Sequence, residues 1–311
     1  MTATIRHALL ATLPNQARAV VRVTGDDATR FLQGLLSADV GELTPGRATA
    51  ATLLTVKGKI ISEVLVLAVT EDEPWLLLPA EIAPDVTAKL DAHIIMDDVE
   101  LEPLTDHACA IAWTEAATLT PEQLGALPAG VRAFAGTHPL PGVVLVGPES
   151  ALSTALAKIG EPADTEAFTA ARIAHGRPAW GFEIAADRFP PEVGFVDAVS
   201  YDKGCFLGQE PLSRIHNRGQ VNRVMVRVKL SAAPTSPLPI ALQVDGAQVG
   251  HLTSHTQALE GLAIVRRAHA KPGAQLHADE LTITVQSPPL GDDPGRAGRQ
   301  QAATVTLGGR R

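Results

Sequence analysis

The spacing of apolar residues changes period several times along the chain, and each change marks an element. Ala17 to Thr24 reads as a strand, punctuated by Gly25-Asp26-Asp27. Asp26 is placed to cap the helix that follows by accepting a free backbone N–H. In that helix Phe31, Leu32, Leu35 and Leu36 make an apolar stripe, and Asp39 and Gly41 close it. Ala48 to Val56 and Ile60 to Val69 are β-rich runs joined by Lys57-Gly58-Lys59, which reads as a hairpin. The second run is aliphatic except at Ser62-Glu63, so it belongs inside a sheet. A carboxylate there is expected at a strand edge or a pocket mouth. Trp75 to Pro79 is a further strand. Ile82 to Ile94 reads as a helix with Pro84 near its start, where proline is tolerated. Val99 to Leu104 and Ala108 to Trp113 read as strands, the second burying Cys109 as an inert core thiol.

From Glu115 to Gly142 the period is lost, which suggests a connection or a variable edge. Val143 to Val146 then reads as a strand, and Glu149 to Ile159 as a helix stopped by Gly160. Asp164 or Thr165 caps a helix over Glu166 to His175, closed by Gly176 with Pro178 beyond. The turn-rich stretch that follows leads into Asp202 to Glu210. Val221 to Leu230 alternates at period two, a half-buried strand. Past the proline-rich run Ala232 to Pro239, short strands at Ile240 to Ser254 (split by Asp245-Gly246), Leu262 to Val265, Gln275 to His277 and Leu281 to Val285 predict a small all-β unit. Pro288 to Arg311 is rich in Gly, Pro, Gln and Arg and is expected to be largely disordered.

Composition narrows the class. At 311 residues two or three domains are expected, and with 4% aromatics their cores must be aliphatic and alanine-rich. A net charge of −8 argues against a general nucleic-acid binder and leaves room only for a local basic groove. Cys109 and Cys205 cannot make a zinc set, lack CxxC spacing, and give no support for a disulfide. The first ten residues lack a signal-peptide core and no run reaches membrane-spanning length, so a cytoplasmic, reducing setting without membrane contact is expected. Histidines are scattered with no metal-ligand spacing.

Chemistry concentrates at Lys203-Gly204-Cys205-Phe206-Leu207-Gly208-Gln209-Glu210, continuing to Arg214. Glycines allow a tight loop or close approach of a ligand. A cation such as Lys203 near a thiol favours the thiolate, the nucleophilic and metal-binding form.

This stretch resembles the KGC-aromatic-x-GQE-x-x-x-R pattern of the YgfZ family. That family is folate-binding, linked to iron–sulfur clusters, and related to the T-protein (aminomethyltransferase) of the glycine cleavage system. Gly25-Asp26-Asp27-Ala28 with Phe31 to Gly34, the Gly58-Lys59 hairpin, Arg172 to Gly176 with Pro178, and Gly250 to Ser254 match it as well. The resemblance runs from Ala17 to Val285. It implies an α+β, GcvT-like folate-binding fold, with two mixed α/β portions around a central hole and a small C-terminal β-barrel. The corresponding division is residues 1–222, a barrel at 223–287, and a tail at 288–311. It further implies a tetrahydrofolate site and a role in assembly or repair of iron–sulfur enzymes, among them enzymes of tRNA methylthiolation, with no direct DNA binding.

On that reading Cys205 and Lys203 carry the chemistry. Trp180, Gln209, Glu210 and Arg214 are candidate folate contacts: Trp180 as a stacking wall, Arg214 with Lys203 and Arg218 as anion partners, Glu210 as a loop-shaping partner of Lys203 or Arg214. One cysteine cannot hold a whole cluster, so any cluster here would be shared with a partner. The alternative is a tetrahydrofolate-dependent aminomethyltransferase. In the T-protein a pair of aspartates follows the Gly turn; here the place reads Ser62-Glu63, which disfavours that enzyme. No classical enzyme activity is expected of an assembly factor.

Overall fold

The computed structural model describes residues 4–115 and 118–291. Two five-stranded sheets and one closed barrel organise them. Strand β1 (Arg6–Leu9) opens the chain, and β2 (Arg18–Thr24) follows. Helix α1 (Ala28–Leu35) buries Phe31, Leu32 and Leu35, as the apolar stripe requires. Its N-cap is Asp27 rather than Asp26. The Asp27 carboxylate does not cap the helix; it accepts the Asp98 N–H at 3.0 Å and an Arg30 N–H, and so ties the turn to the strand beyond.

Strands β3 (Ala48–Leu54) and β4 (Ile60–Ala68) form the expected hairpin. With β5 (Pro74–Pro79), β2 and β6 (Glu100–Pro103) they give the sheet order β3-β4-β5-β2-β6, which puts β4 inside. Helix α2 (Ala83–Asp91) lies between β5 and β6 in sequence. Together α1 and α2 cover one face of this sheet over Val21, Val64, Val66, Leu76 and Leu78.

The second sheet has the order β10-β1-β7-β9-β8. Its members are β7 (His107–Trp113), β8 (Arg132–Gly136), β9 (Gly142–Pro148) and the two-residue β10 (Glu161–Pro162), with α3 (Glu149–Ile159) packed on one face. Strand β8 lies within the stretch expected to be irregular. Five residues bounded by turns carry too little periodicity to stand out, and pairing with β9 makes the strand. The opposite faces of the two sheets share one core, which contains Leu54, Leu65, Leu77, Ile111, Phe134 and Val144.

Helix α4 (Thr165–Ala174) is capped by Asp164, whose side chain accepts the Ala167 N–H at 2.8 Å. Helix α5 (Gln209–Arg218) occupies a stretch read as loop. Pro211 falls in its first turn, where no intrahelical N–H is lost. The barrel closes in the order β11-β14-β13-β12-β15-β16. These strands are β11 (Arg223–Leu230), β12 (Ile240–Val244), β13 (Ala247–His255), β14 (Glu260–Arg266), β15 (Gln275–Ala278) and β16 (Leu281–Val285).

A buried ion pair joins the barrel to the rest. Arg172 on α4 meets Glu183 at 2.6 Å, and Ser254 and Thr253 of β13 both donate to Glu183 Oε1, at 2.6 and 2.7 Å. The Ala179 N–H supplies Oε2, and Arg172 also donates to the Arg177 carbonyl and to Ser254 Oγ. Both carboxylate oxygens and both terminal guanidinium nitrogens have partners, which is what a buried charge needs. Beyond the barrel, the Leu290 N–H bonds the Met225 carbonyl at 2.8 Å. The rest of the expected disordered tail, from residue 292, lies outside the described residues. No described helix is long and apolar enough to cross a membrane.

Candidate functional site

Three motifs far apart in sequence converge on the cysteine loop. The Leu207 N–H donates to the Gly34 carbonyl of α1 at 3.0 Å. Lys203 Nζ donates to the Leu36 and Ala38 carbonyls at 2.8 and 2.6 Å, where α1 ends and bare carbonyls attract a cation. Gly208 sits at φ +78° as the N-cap of α5, against the β3–β4 turn. A Cβ there would collide with the Thr55 carbonyl and stand 2.9 Å from Leu54. Gly58 at φ +73° faces back, with its own Cβ position 3.2 Å from the Gly208 carbonyl. Side-chain-free residues on both sides let two backbones touch.

This clamp leaves the thiol outside. Cys205 is exposed, and nothing lies within 4 Å of a Cβ built on Gly204. Lys203 is buried instead, with its cation 5.1 Å from the Phe206 ring centre. Burial pushes its pKa down to about 8, against the pull of Asp39. Its ammonium is committed to α1, so it holds the base of the loop. Cys109 behaves as the strand pattern predicts: it is enclosed in β7, and burial pushes its thiol up to about 12.

The residues proposed to meet folate are dispersed. Trp180 is 6% exposed in the core between the sheets, and its indole N–H donates to Glu81 at 2.8 Å. Glu210 and Arg214 pair at 3.6 Å on the solvent face of α5, with Gln209 beside them in the helix's first turn. So exposed a pair contributes little. The side chain of Arg218 lies outside the described residues.

A second centre lies inside the core. Glu63 on β4 is buried rather than at an edge, and meets Arg18 Nη2 of β2 at 2.7 Å. His138, from the β8–β9 loop, brings Nε2 to 3.1 Å from the same oxygen, and its ring lies 4.8 Å from that of Phe195. Burial works against the charge, but Arg18 and then His138 outweigh it and hold the Glu63 carboxyl down at about 2. Glu63 Oε2 and His138 Nδ1 are buried with no hydrogen-bond partner among the described residues. Nearby in sequence to His138, Thr137 donates to Asp197 at 3.3 Å, and Asp197 pairs with Arg177 at 2.7 Å. Arg177 Nε and Nη2 are likewise buried and unpartnered among the described residues. The chain signals Glu63 by its break in an aliphatic run. Arg18, His138 and Arg177 carry no comparable signal. Among the described residues no group of three or more His, Cys, Asp or Glu is arranged to hold a metal ion.

Comparison with known proteins places this geometry. Residues 16–114 match the GCVT N-terminal domain, and residues 223–290 match the C-terminal β-barrel domain of CAF17. A chloroplastic protein of Arabidopsis thaliana is 27% identical over 286 residues, covering 85% of this chain and 66% of its own length. The mitochondrial iron–sulfur cluster assembly factor IBA57 homolog of Yarrowia lipolytica is 23% identical over 297 residues, covering 81% of this chain. The chain spans 62% of that protein's length. The glycine cleavage system aminomethyltransferase T of Bartonella henselae superposes with a TM-score of 0.73 at 17% identity. That match covers 93% of this chain and 86% of the other, and shows a shared fold. The two family matches lie at either end of one GcvT-like fold closed by a six-stranded barrel, so the chain joins a GCVT N-terminal domain to a CAF17-type C-terminal β-barrel, and in this it is similar to the YgfZ/IBA57 type.

Proposed function

We propose that this protein is a folate-binding accessory factor for assembly or repair of iron–sulfur enzymes in the cytoplasm, with Cys205 as its reactive thiol. The observation that carries the reading is the exposed Cys205 on a loop fixed at both ends: Lys203 on the carbonyls after α1, Gly208 against Gly58. A rigidly presented thiol suits handover to or from a partner, because the ordering entropy is met on folding rather than at the encounter. A single thiolate makes the cluster a shared cargo, completed by the partner's ligands. Lys203 then acts as a positioning residue.

The interior centre offers folate more buried polar atoms than the α5 face does. Glu63 Oε2, His138 Nδ1 and the Arg177 nitrogens are buried polar atoms that a ligand with donors and acceptors would satisfy. When bound there, a reduced folate would supply one-carbon chemistry. Glu63 and Arg177 would orient it by hydrogen bonds, and the shared core would exclude water. Trp180 contributes as packing beneath.

The transferase alternative needs a carboxylate that takes a proton near neutral pH. Glu63, held at about 2 by Arg18 and His138, is a poor base, which favours the accessory role.

Complementation of a deletion strain tests the reading, with an iron–sulfur radical enzyme as readout. Cys205→Ala is expected to abolish rescue while the purified variant keeps its folding and tetrahydrofolate affinity. Full rescue by Cys205→Ala would sink the assignment of the thiol.

A further inference from the structure

The end of the barrel where β11 begins carries a concentration of positive charge that neither the thiol nor the interior centre uses. In the β11–β14 ladder Arg223 stands directly opposite Arg266. Opposed residues of an antiparallel pair project from the same face, so two guanidiniums are neighbours there. Like charges in that arrangement repel unless an anion lies between them. No hydrogen bond or ion pair within the described residues engages either guanidinium, and both residues are exposed.

Arg267 adds a third guanidinium, held in place by its Nε donating to the Val221 carbonyl at 3.0 Å. The three arginines, with Gln220 and Asn222, line a concave cleft that has no carboxylate in its wall among the described residues. Positive charge continues behind the cleft. Burial and then the charge of Arg188 and Arg223 hold the His251 imidazole below its ordinary value. Arg188 itself is pushed down by burial and opposed by Arg223, with Glu192 and Glu183 pulling the other way. In a chain of net charge −8, Arg223 and Arg266 stand opposed with no ion pair among the described residues to offset them.

We infer that the cleft between Arg223, Arg266 and Arg267 is an anion-binding site for the phosphate group of a small phosphoester, separate from the thiol loop and from the folate centre. Planar guanidinium forks match phosphate oxygens in pairs, and an anion between Arg223 and Arg266 turns their repulsion into binding energy. The amides of Gln220 and Asn222 add neutral donors at the rim. A small phosphoester suits a confined cleft in an otherwise acidic chain better than a nucleic acid, which needs a long basic track.

The full chain is titrated at physiological salt with pyrophosphate, by calorimetry and by thermal unfolding. Pyrophosphate is expected to bind and raise the melting temperature. The double substitution Arg223→Gln with Arg266→Gln is expected to weaken binding by about tenfold or more. The same variant without ligand should melt no lower than the wild type, because a repulsion has been removed. A variant that melts clearly lower without ligand would show that the arginines are held by internal contacts, against the proposal. Absence of binding at millimolar pyrophosphate, equal binding of citrate, or displacement of pyrophosphate by tetrahydrofolate would each overturn it. So would retention of a short RNA oligonucleotide by a chain that ignores pyrophosphate.

Discussion

Two buried glutamates, each facing an arginine, have opposite characters in this molecule. Glu183 is enclosed with Arg172 at the barrel junction, and both its oxygens accept: Oε1 from Thr253 and Ser254, Oε2 from Arg172 and Ala179. Glu63 is as deeply buried beside Arg18, yet Oε2 has no partner among the described residues and His138 next to it is unsatisfied as well. A complete network fixes one arrangement and asks for nothing more. An incomplete one retains a desolvation cost that only a further group can relieve. The first pair is a joint between the barrel and the rest of the chain and the second is an unsatisfied polar centre, though burial and residue types alone would rank them equal.

Removing the completed carboxylate should have the largest effect. Glu183→Ala strands the Arg172 charge in the core and is expected to cost about 3–5 kcal/mol, read by urea unfolding. A loss near zero would mean that the junction is not held by this pair.

The acid response of Glu63 comes next. Its folded pKa, about 2, lies below the ordinary 4.5. The ionised form is therefore stabilised by folding, fully so above pH 4.5, and that contribution is lost as pH falls toward 2. The wild type should lose about 3 kcal/mol from this group across that window, and Glu63→Gln should lack that component of the pH profile. Identical acid profiles would erase the distinction between the two glutamates.

A finer probe trims single donors. Ser254→Ala is expected to cost about 1–2 kcal/mol, because it leaves Glu183 and Arg172 each one partner short. Smallest of all is Cys205→Ala, within about 0.5 kcal/mol of wild type, since an exposed thiol carries little packing. A large destabilisation there would make the cysteine part of the frame.

Much of the frame was legible before the structure. The stripe of α1, the β3–β4 hairpin, the Asp164 cap and the enclosure of Cys109 are local patterns, and local patterns survive in sequence. Strands of four or five residues such as β1 and β8 were not legible, because pairing and not periodicity creates them. The start of α5 was hidden by the glycines that precede it. Neither glutamate network could be read either. Glu63 and His138 are separated by four strands, β5 to β8, and Glu183 meets Thr253 and Ser254 across the whole cysteine loop. The motif that drew attention to Lys203 was informative about place, while the use of its charge depended on where α1 happens to stop.

The contact of Gly58 with Gly208 has a mechanical consequence. Gly58 closes the turn from which β4 runs inward to Glu63, and Gly208 is where the thiol loop passes into α5. One short run of backbone thus has the interior carboxylate Glu63 near one end and the seat of the external thiol at the other. A displacement of β4 at Glu63 is therefore expected to reach the seat of the thiol through backbone contact alone, and a side chain at either glycine would force the two segments apart.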